Sequence, residues 1–406
     1  MKDARAAGAD RGVVLVSELF PPDVGGTPSL FSNVYRRLGS TDLRVLTSVR
    51  EAPALVSSDG PFAITRIPMA APHWGITNLG SLRRYWRVIA RMRVESARRA
   101  TTFHCARALP EGLAALCATS LSGSSNYLCW THGEELHYAS SSRELSFLLA
   151  RVHRGAAAII ANSRYTAREL ERIGVPQEKV RVVYPGVDVE RFSRCQSAAR
   201  IRSRYASPDD VLLLTVGRLQ RRKGHDLAIA AVASLGQEIP RLKYLIVGEG
   251  EERSRLEKLV DQHGLCERVV FAGAVDDDAL PAYYAAADVF LHPNRVDGGD
   301  VEGFGIVFLE AAAASKPVIG GGTGGVPEAV EQGVTGLLVT GTDVGELAEA
   351  VRVLARDPVR RREMGDAGRA RVSRQFTWAR AAAEVTAIQK AINTEPVECP
   401  EKEFIA

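Results

Sequence analysis

The chain has 406 residues, 46% hydrophobic and 25% charged, with 36 glycines and a net charge of +4. That length suits two domains with separate cores, and the glycine content suits a soluble α/β protein rich in tight strand-to-helix turns. The modest charge argues against a dedicated nucleic-acid binder, and no apolar run approaches the ~18 residues that span a bilayer.

Six dispersed cysteines (Cys105, Cys117, Cys129, Cys195, Cys266, Cys399) form no C-x-x-C pair and no Cys/His cluster at metal spacing. A reduced, cytoplasmic setting is expected. Met1 to Arg11 alternates small and charged residues without a signal-peptide core, so any membrane role is expected to be peripheral.

Taken in order, Gly12 to Phe20 reads as a buried parallel strand. Pro21 to Thr27 (PPDVGGT) breaks it before an amphipathic run, Pro28 to Leu38. A strand, a Gly-Gly loop at Gly25 and Gly26 and a helix start make either a phosphate-approaching turn or a plain one. The dinucleotide fingerprint G-x-G-x-x-G is absent. Leu43 to Thr47 and Phe62 to Ile67 supply the next strands.

Leu79 to Arg99 has a different character. Leu82, Tyr85, Trp86, Ile89 and Met92 fall on one helical face, and Arg83, Arg84, Arg87, Arg91 and Arg98 crowd the rest. Such a helix either rests on an anionic membrane or simply presents a solvated basic face.

Thr102 to Ala106 is a strand before Leu109-Pro110-Glu111-Gly112, and Tyr127 to Trp130 leads into Thr131-His132-Gly133. A histidine at the carboxyl edge of a parallel strand faces the ligand crevice of a doubly wound sheet, although a lone His is also a common structural residue. Ala157 to Ala161 is a strand ending at Asn162-Ser163, a cap for a helix over Tyr165 to Ile173. After Val180 to Tyr184 and the turn Pro185-Gly186-Val187-Asp188, the polar, strand-poor stretch Ser193 to Asp210 reads as a linker.

The strand–helix rhythm then restarts. Val211 to Val216 is a strand, followed by Gly217-Arg218-Leu219-Gln220-Arg221-Arg222-Lys223-Gly224. Arg218 and Lys223 at a strand's carboxyl end suit a pyrophosphate, or make an ordinary basic turn; Arg221 and Arg222 receive no role. Tyr244 to Val247, Val269 to Val275 and Asp288 to Pro293 are further strands.

Next comes Gly298 to Leu309 (GGDVEGFGIVFL), closing on Glu310. If the interval were mostly helical, Glu302 and Glu310 would lie roughly 12 Å apart with free N–H groups between them. An anion suits those N–H groups and the helix end, and each carboxylate suits hydroxyls of a sugar or ribose. Pro317 to Gly322 and Gly336 to Val339 complete the strands. Helices follow to Phe376, and a last helix is expected over 376–392, before a loose tail at 393–406.

The text E-G-F-G-I-V-F-L-E-A with KPVIGGGTGGVPEAV after it resembles the signature of retaining glycosyltransferases of family 4. That resemblance implies a GT-B fold of two Rossmann-like doubly wound domains facing a cleft. Domain one would span 1–192, with helix 376–392 packing back on it, and domain two 193–375. It implies transfer of a hexose from a nucleotide diphosphate sugar with retention, and neither a metal nor a cofactor.

By the same resemblance, Arg218 and Lys223 hold the leaving phosphates in a G-R-x-x-x-x-K-G loop that begins at Gly217. His132 contacts the donor sugar, Gly25 and Gly26 line the donor phosphate and acceptor side, and Val275 meets the base. Glu302, Gly303, Phe304, Gly305, Ile306 and Glu310 complete the donor site. Arg295 to Ala311 and Leu109 to Gly112 are most similar to GDP-mannose-dependent α-mannosyltransferases acting on phosphatidylinositol mannosides, which points to a glycolipid or glycan acceptor. The alternatives are a UDP-sugar enzyme acting on a soluble sugar, a nucleotide-sugar epimerase or hydrolase, an oxidoreductase, and a non-catalytic binding module.

Overall fold

The computed structural model describes residues 11–23, 25–39, 42–49, 63–70, 74–120, 125–193 and 197–394. The first sheet contains β1 (Gly12–Ser17), β2 (Leu43–Ser48), β3 (Ala63–Ile67), β4 (Thr101–Cys105), β5 (Asn126–Thr131), β6 (Ala158–Ala161) and β7 (Val180–Val182). Their order is β3-β2-β1-β4-β5-β6-β7, and every pairing is parallel. Runs such as GVVLVS are buried residue by residue, as strands covered by helices on both faces must be.

The second sheet contains β8 (Val211–Val216), β9 (Leu242–Val247), β10 (Val269–Gly273), β11 (Val289–His292), β12 (Val318–Gly321) and β13 (Gly336–Val339). Its order is β10-β9-β8-β11-β12-β13, again all parallel. The strand order reverses once in each sheet, at β1/β4 and at β8/β11. In an open α/β sheet the carboxyl ends of the strands beside that reversal carry the ligand site.

Met1–Tyr184 with Ala379–Ala406 forms one compact unit, and Pro185–Trp378 the other. The segment 185–192, assigned by sequence to the first domain, therefore belongs to the second. Its packing explains why: Phe192 meets Tyr284 edge-on, Arg191 pairs with Asp277 at 2.7 Å, and the Val187 N–H donates to Phe376 O. Nor is 193–210 merely a linker. Ala198–Tyr205 is a helix whose Ile201 is buried and whose Arg202 pairs with Asp288 at 2.6 Å.

The last helix is Trp378–Thr394, so 393 and 394 are helical, and the expected tail otherwise lies outside the described residues. A buried polar chain anchors it to the first sheet. Trp130 Nε1 donates to the Tyr35 hydroxyl at 3.2 Å, which bonds His104 Nδ1 at 2.8 Å, and His104 Nε2 meets Gln389 Oε1 at 2.5 Å. Every donor in that chain has an acceptor if His104 carries its proton on Nε2. Burial pushes His104 down to about 4, which keeps it neutral.

The helix Leu79–Arg98 turns a different face inward from the one the spacing suggested. Tyr85, Val88, Ile89 and Met92 are buried, whereas Leu82 and Trp86 point outward. Its arginines also divide. Arg84 donates to Ala70 O and Gly80 O, and Arg91 pairs with Glu95 at 2.6 Å, so neither is a simple solvated charge. Arg83 and Arg87 are exposed.

Candidate active site

In the second unit the turn after β8 carries both expected cations, in different states. Arg218 is exposed, and its guanidinium bonds no described residue. Lys223 Nζ lies 2.5 Å from Glu302 Oε2, and Gly224 behind it starts the helix His225–Ser234. Arg222, given no role by sequence, reaches the same oxygen through Nη1 at 2.9 Å and Asp300 Oδ2 through Nε at 2.8 Å. Its neighbourhood was invisible locally, because the partners are 78 and 80 residues away in the chain.

Glu302 thus sits beneath two cations, both on Oε2, while Oε1 takes no hydrogen bond from the described residues. Burial alone would push this carboxyl up. Lys223 and Arg222 outweigh that penalty and hold it well below the usual carboxylate range. His292, at the end of β11, is fully buried with neither ring nitrogen bonded, and burial followed by the nearby Lys223 charge drives its pKa well below the ordinary value.

The interval from Glu302 to Glu310 is helical only from Ile306, so the 12 Å expectation from helical rise does not hold for its first half. The break is at Gly305, whose φ of 86° lies in the left-handed region and suits glycine. No side chain caps the helix Ile306–Ala313, which leaves its first N–H groups for an anion. The loop at Gly325 packs backbone on backbone against this turn: a Cβ there would sit 2.0 Å from Gly303 O. Phe304 is buried against Phe376, 5.7 Å between ring centres.

Glu310 behaves oppositely to Glu302. Among the described residues no cation pairs with it; the Tyr284 hydroxyl donates to its Oε2 at 2.7 Å. Burial pushes it up to about 7, against that hydrogen bond. Val275 lies in the loop just after β10, since the strand ends at Gly273.

In the first unit, Gly25 precedes the helix Gly26–Tyr35, which has no side-chain cap. His132 follows β5, stacked beside Trp130 at 6.5 Å between ring centres, with the Phe31 edge at 5.9 Å. Its Nε2 lies 3.0 Å from Ala106 O. A carbonyl only accepts, so the proton sits on Nε2 and Nδ1 is left as an acceptor. Burial pushes His132 down to about 4. Glu135 accepts the His132 backbone N–H at 2.9 Å, and burial raises its carboxyl to about 7. Beside them, Arg107 joins Glu18 at 3.0 Å to the buried Glu111 at 3.4 Å. Among the described residues no group of three or more His, Cys, Asp or Glu side chains is placed to hold a metal ion.

Family models match both units: Glycosyl transferases group 1 over residues 198–371 and Glycosyltransferase Family 4 over 24–191. A GDP-mannose-dependent α-(1-6)-phosphatidylinositol monomannoside mannosyltransferase of Mycobacterium tuberculosis is 35% identical over 384 residues, covering 92% of this chain and 96% of that protein. The enzyme of the same name from Mycolicibacterium smegmatis is 38% identical over 259 residues, 63% of this chain and 68% of its own. The fold is that of HepE from Anabaena, solved with UDP and glucose, at a TM-score of 0.79 with 20% identity, covering 94% of this chain and 100% of that one. The chain accordingly belongs to glycosyltransferase family 4, as a retaining hexosyltransferase of the GT-B fold.

Proposed function

We propose that the protein transfers mannose from GDP-mannose to a hydroxyl of a phosphatidylinositol mannoside or a related glycolipid. The observation that carries a transferase chemistry is the charge layout around Glu302. The exposed Arg218, Lys223 and an uncapped helix end await a departing diphosphate, beside a carboxylate with one oxygen open to a sugar hydroxyl. Donor and acceptor identity rest on similarity to the mycobacterial mannosyltransferase along nearly the whole chain.

Arg218 and Lys223 are assigned to the diphosphate, Glu302 and His132 to the sugar, and Glu310 to the ribose. Gly217, Gly303, Gly305 and Ile306 contribute backbone, and Val275 the base contact. Gly25 and Gly26 are assigned to the donor phosphate and acceptor side. Negative charge grows on the diphosphate as the glycosidic bond breaks, so its leaving oxygen becomes basic enough to accept the acceptor's proton.

Incubation with a panel of nucleotide sugars and phosphatidylinositol mannoside acceptors tests this reading. Glycolipid product from GDP-mannose is expected. Transfer from UDP-sugars alone, or release of free sugar, would overturn it.

Membrane contact is part of the proposal. Leu79, Leu82, Arg83, Trp86 and Arg87 share one outward stripe within the 79–98 helix, with Leu79 80% and Trp86 64% exposed. An aromatic and leucines flanked by arginines suit the interface of an anionic bilayer. Trp86→Ala is expected to weaken co-sedimentation with anionic vesicles. Equal binding to neutral vesicles, or none at low salt, would remove the membrane role.

A further inference from the structure

Arg222 is a largely buried cation at the donor site, in contact with Glu302 but given no part in binding the donor. Its guanidinium is only 12% exposed, and it bridges two carboxylates: Nε to Asp300 Oδ2 at 2.8 Å, Nη1 to Glu302 Oε2 at 2.9 Å. The bridge is held at both ends by backbone. Arg222 O accepts the Arg295 N–H, and Asp297 and Asp300 exchange a pair of N–H···O bonds that shapes the loop carrying Asp300. A planar fork holds two carboxylates in a fixed geometry, whereas an ammonium ion is a single point charge.

Lys223 meets the same Glu302 oxygen, which raises a conflict. A bound diphosphate draws Lys223 toward its own oxygens. Were Lys223 the sole partner of Glu302, a carboxylate only 14% exposed would lose its counter-ion at the moment it is needed for the sugar.

We propose that Arg222, braced by Asp300, is a positioning residue that keeps Glu302 oriented and charged while Lys223 turns to the diphosphate. The inference rests on the roles given above to Lys223 and Glu302. Arg222 acts on the reaction through Glu302 and touches neither sugar nor phosphate. The groups acting on Glu302 are Lys223 and Arg222 from the turn after β8 and His292 from the end of β11, with Asp300 paired to Arg222. Removing the Arg222 charge therefore leaves burial opposed chiefly by Lys223, with His292 behind it.

Kinetics of Arg222→Met, Arg222→Lys, Asp300→Asn and Lys223→Ala, with nucleotide diphosphate affinity measured alongside, test the proposal. Arg222→Met is expected to lower kcat about tenfold or more with nearly unchanged nucleotide diphosphate Kd. Arg222→Lys should recover part of kcat, and Asp300→Asn should fall in the same direction by a smaller factor.

Wild-type kcat in Arg222→Met overturns the proposal. So does a weakened nucleotide diphosphate Kd, which would make Arg222 a direct phosphate ligand. Asp300→Asn preserves volume and decides the matter if Arg222→Met does not fold: an unchanged kcat there also overturns it. If Lys223→Ala turns over normally, the parent assignment fails. If Lys223→Ala is impaired while Arg222→Met is not, this inference alone fails.

Discussion

The two carboxylates of the signature, eight residues apart, occupy opposite electrostatic worlds. Glu302 lies on a loop under Lys223 and Arg222 and is held ionised well below the carboxylate range. Glu310 lies on the helix that follows, accepts the Tyr284 hydroxyl, and burial lifts it to about 7. The difference teaches that the motif is not a pair of equivalent acids. One end is built around permanent charge, suited to a step in which charge develops; the other titrates near neutral pH and takes its charge as hydroxyls bind.

The largest expected break in this comparison comes from its charged end. Lys223→Ala and Arg218→Ala should each cost roughly 3 kcal/mol in the transition state, read as a fall in kcat that exceeds any rise in donor KM. Wild-type turnover in either variant would end the diphosphate assignment.

Glu302→Gln should come next. It leaves both cations facing a neutral amide, and it should impair transfer while nucleotide diphosphate affinity stays nearly intact. A large loss of that affinity would move Glu302 out of the sugar site.

At the neutral end, Glu310→Ala should weaken nucleotide diphosphate binding by about 1.5–3 kcal/mol, the worth of hydrogen bonds to a charged group. The pH dependence falls in a range that Glu302 does not share. Ribose hydroxyls donate best to the ionised form, so binding draws a proton off Glu310, and affinity should rise as pH climbs through about 7. Calorimetry in buffers of different ionisation enthalpy reads the released proton. A flat profile across that range, or the same profile in Glu310→Gln, would contradict the assignment.

The smallest effect belongs to Tyr284→Phe, which removes the one hydrogen bond that favours the charged Glu310 and keeps the buried ring. It should cost about 1 kcal/mol of stability and shift the affinity profile to higher pH. A shift to lower pH would show that the hydroxyl favours the neutral acid instead.

Much of the fold was legible in short stretches. Val211 to Val216 and Gly336 to Val339 are strands at the boundaries read from sequence, and Ser163 caps its helix by accepting the Thr166 N–H at 3.0 Å. Apolar β-branched runs, glycine turns and cap residues are local signals, and the alternation of strand and helix follows from them. Segment 193–210 misled for a related reason. Its polar composition hid one buried Ile201 and one paired Arg202, and those two contacts bind the helix to the unit.

By itself, the sequence determined the two parallel sheets, the glycine-lined loops at their carboxyl ends and the family. Each depends on residue type at short spacing. Only the tertiary structure decided that Arg222 rather than Arg221 reaches Glu302, that Trp86 faces out while Tyr85 faces in, and that the two signature glutamates differ in charge. Ion pairing and burial depend on groups brought together across the chain, such as Lys223 and Glu302 at 79 residues' separation. No local pattern carries that distance, because an ionisable side chain takes its charge state from its neighbours in space.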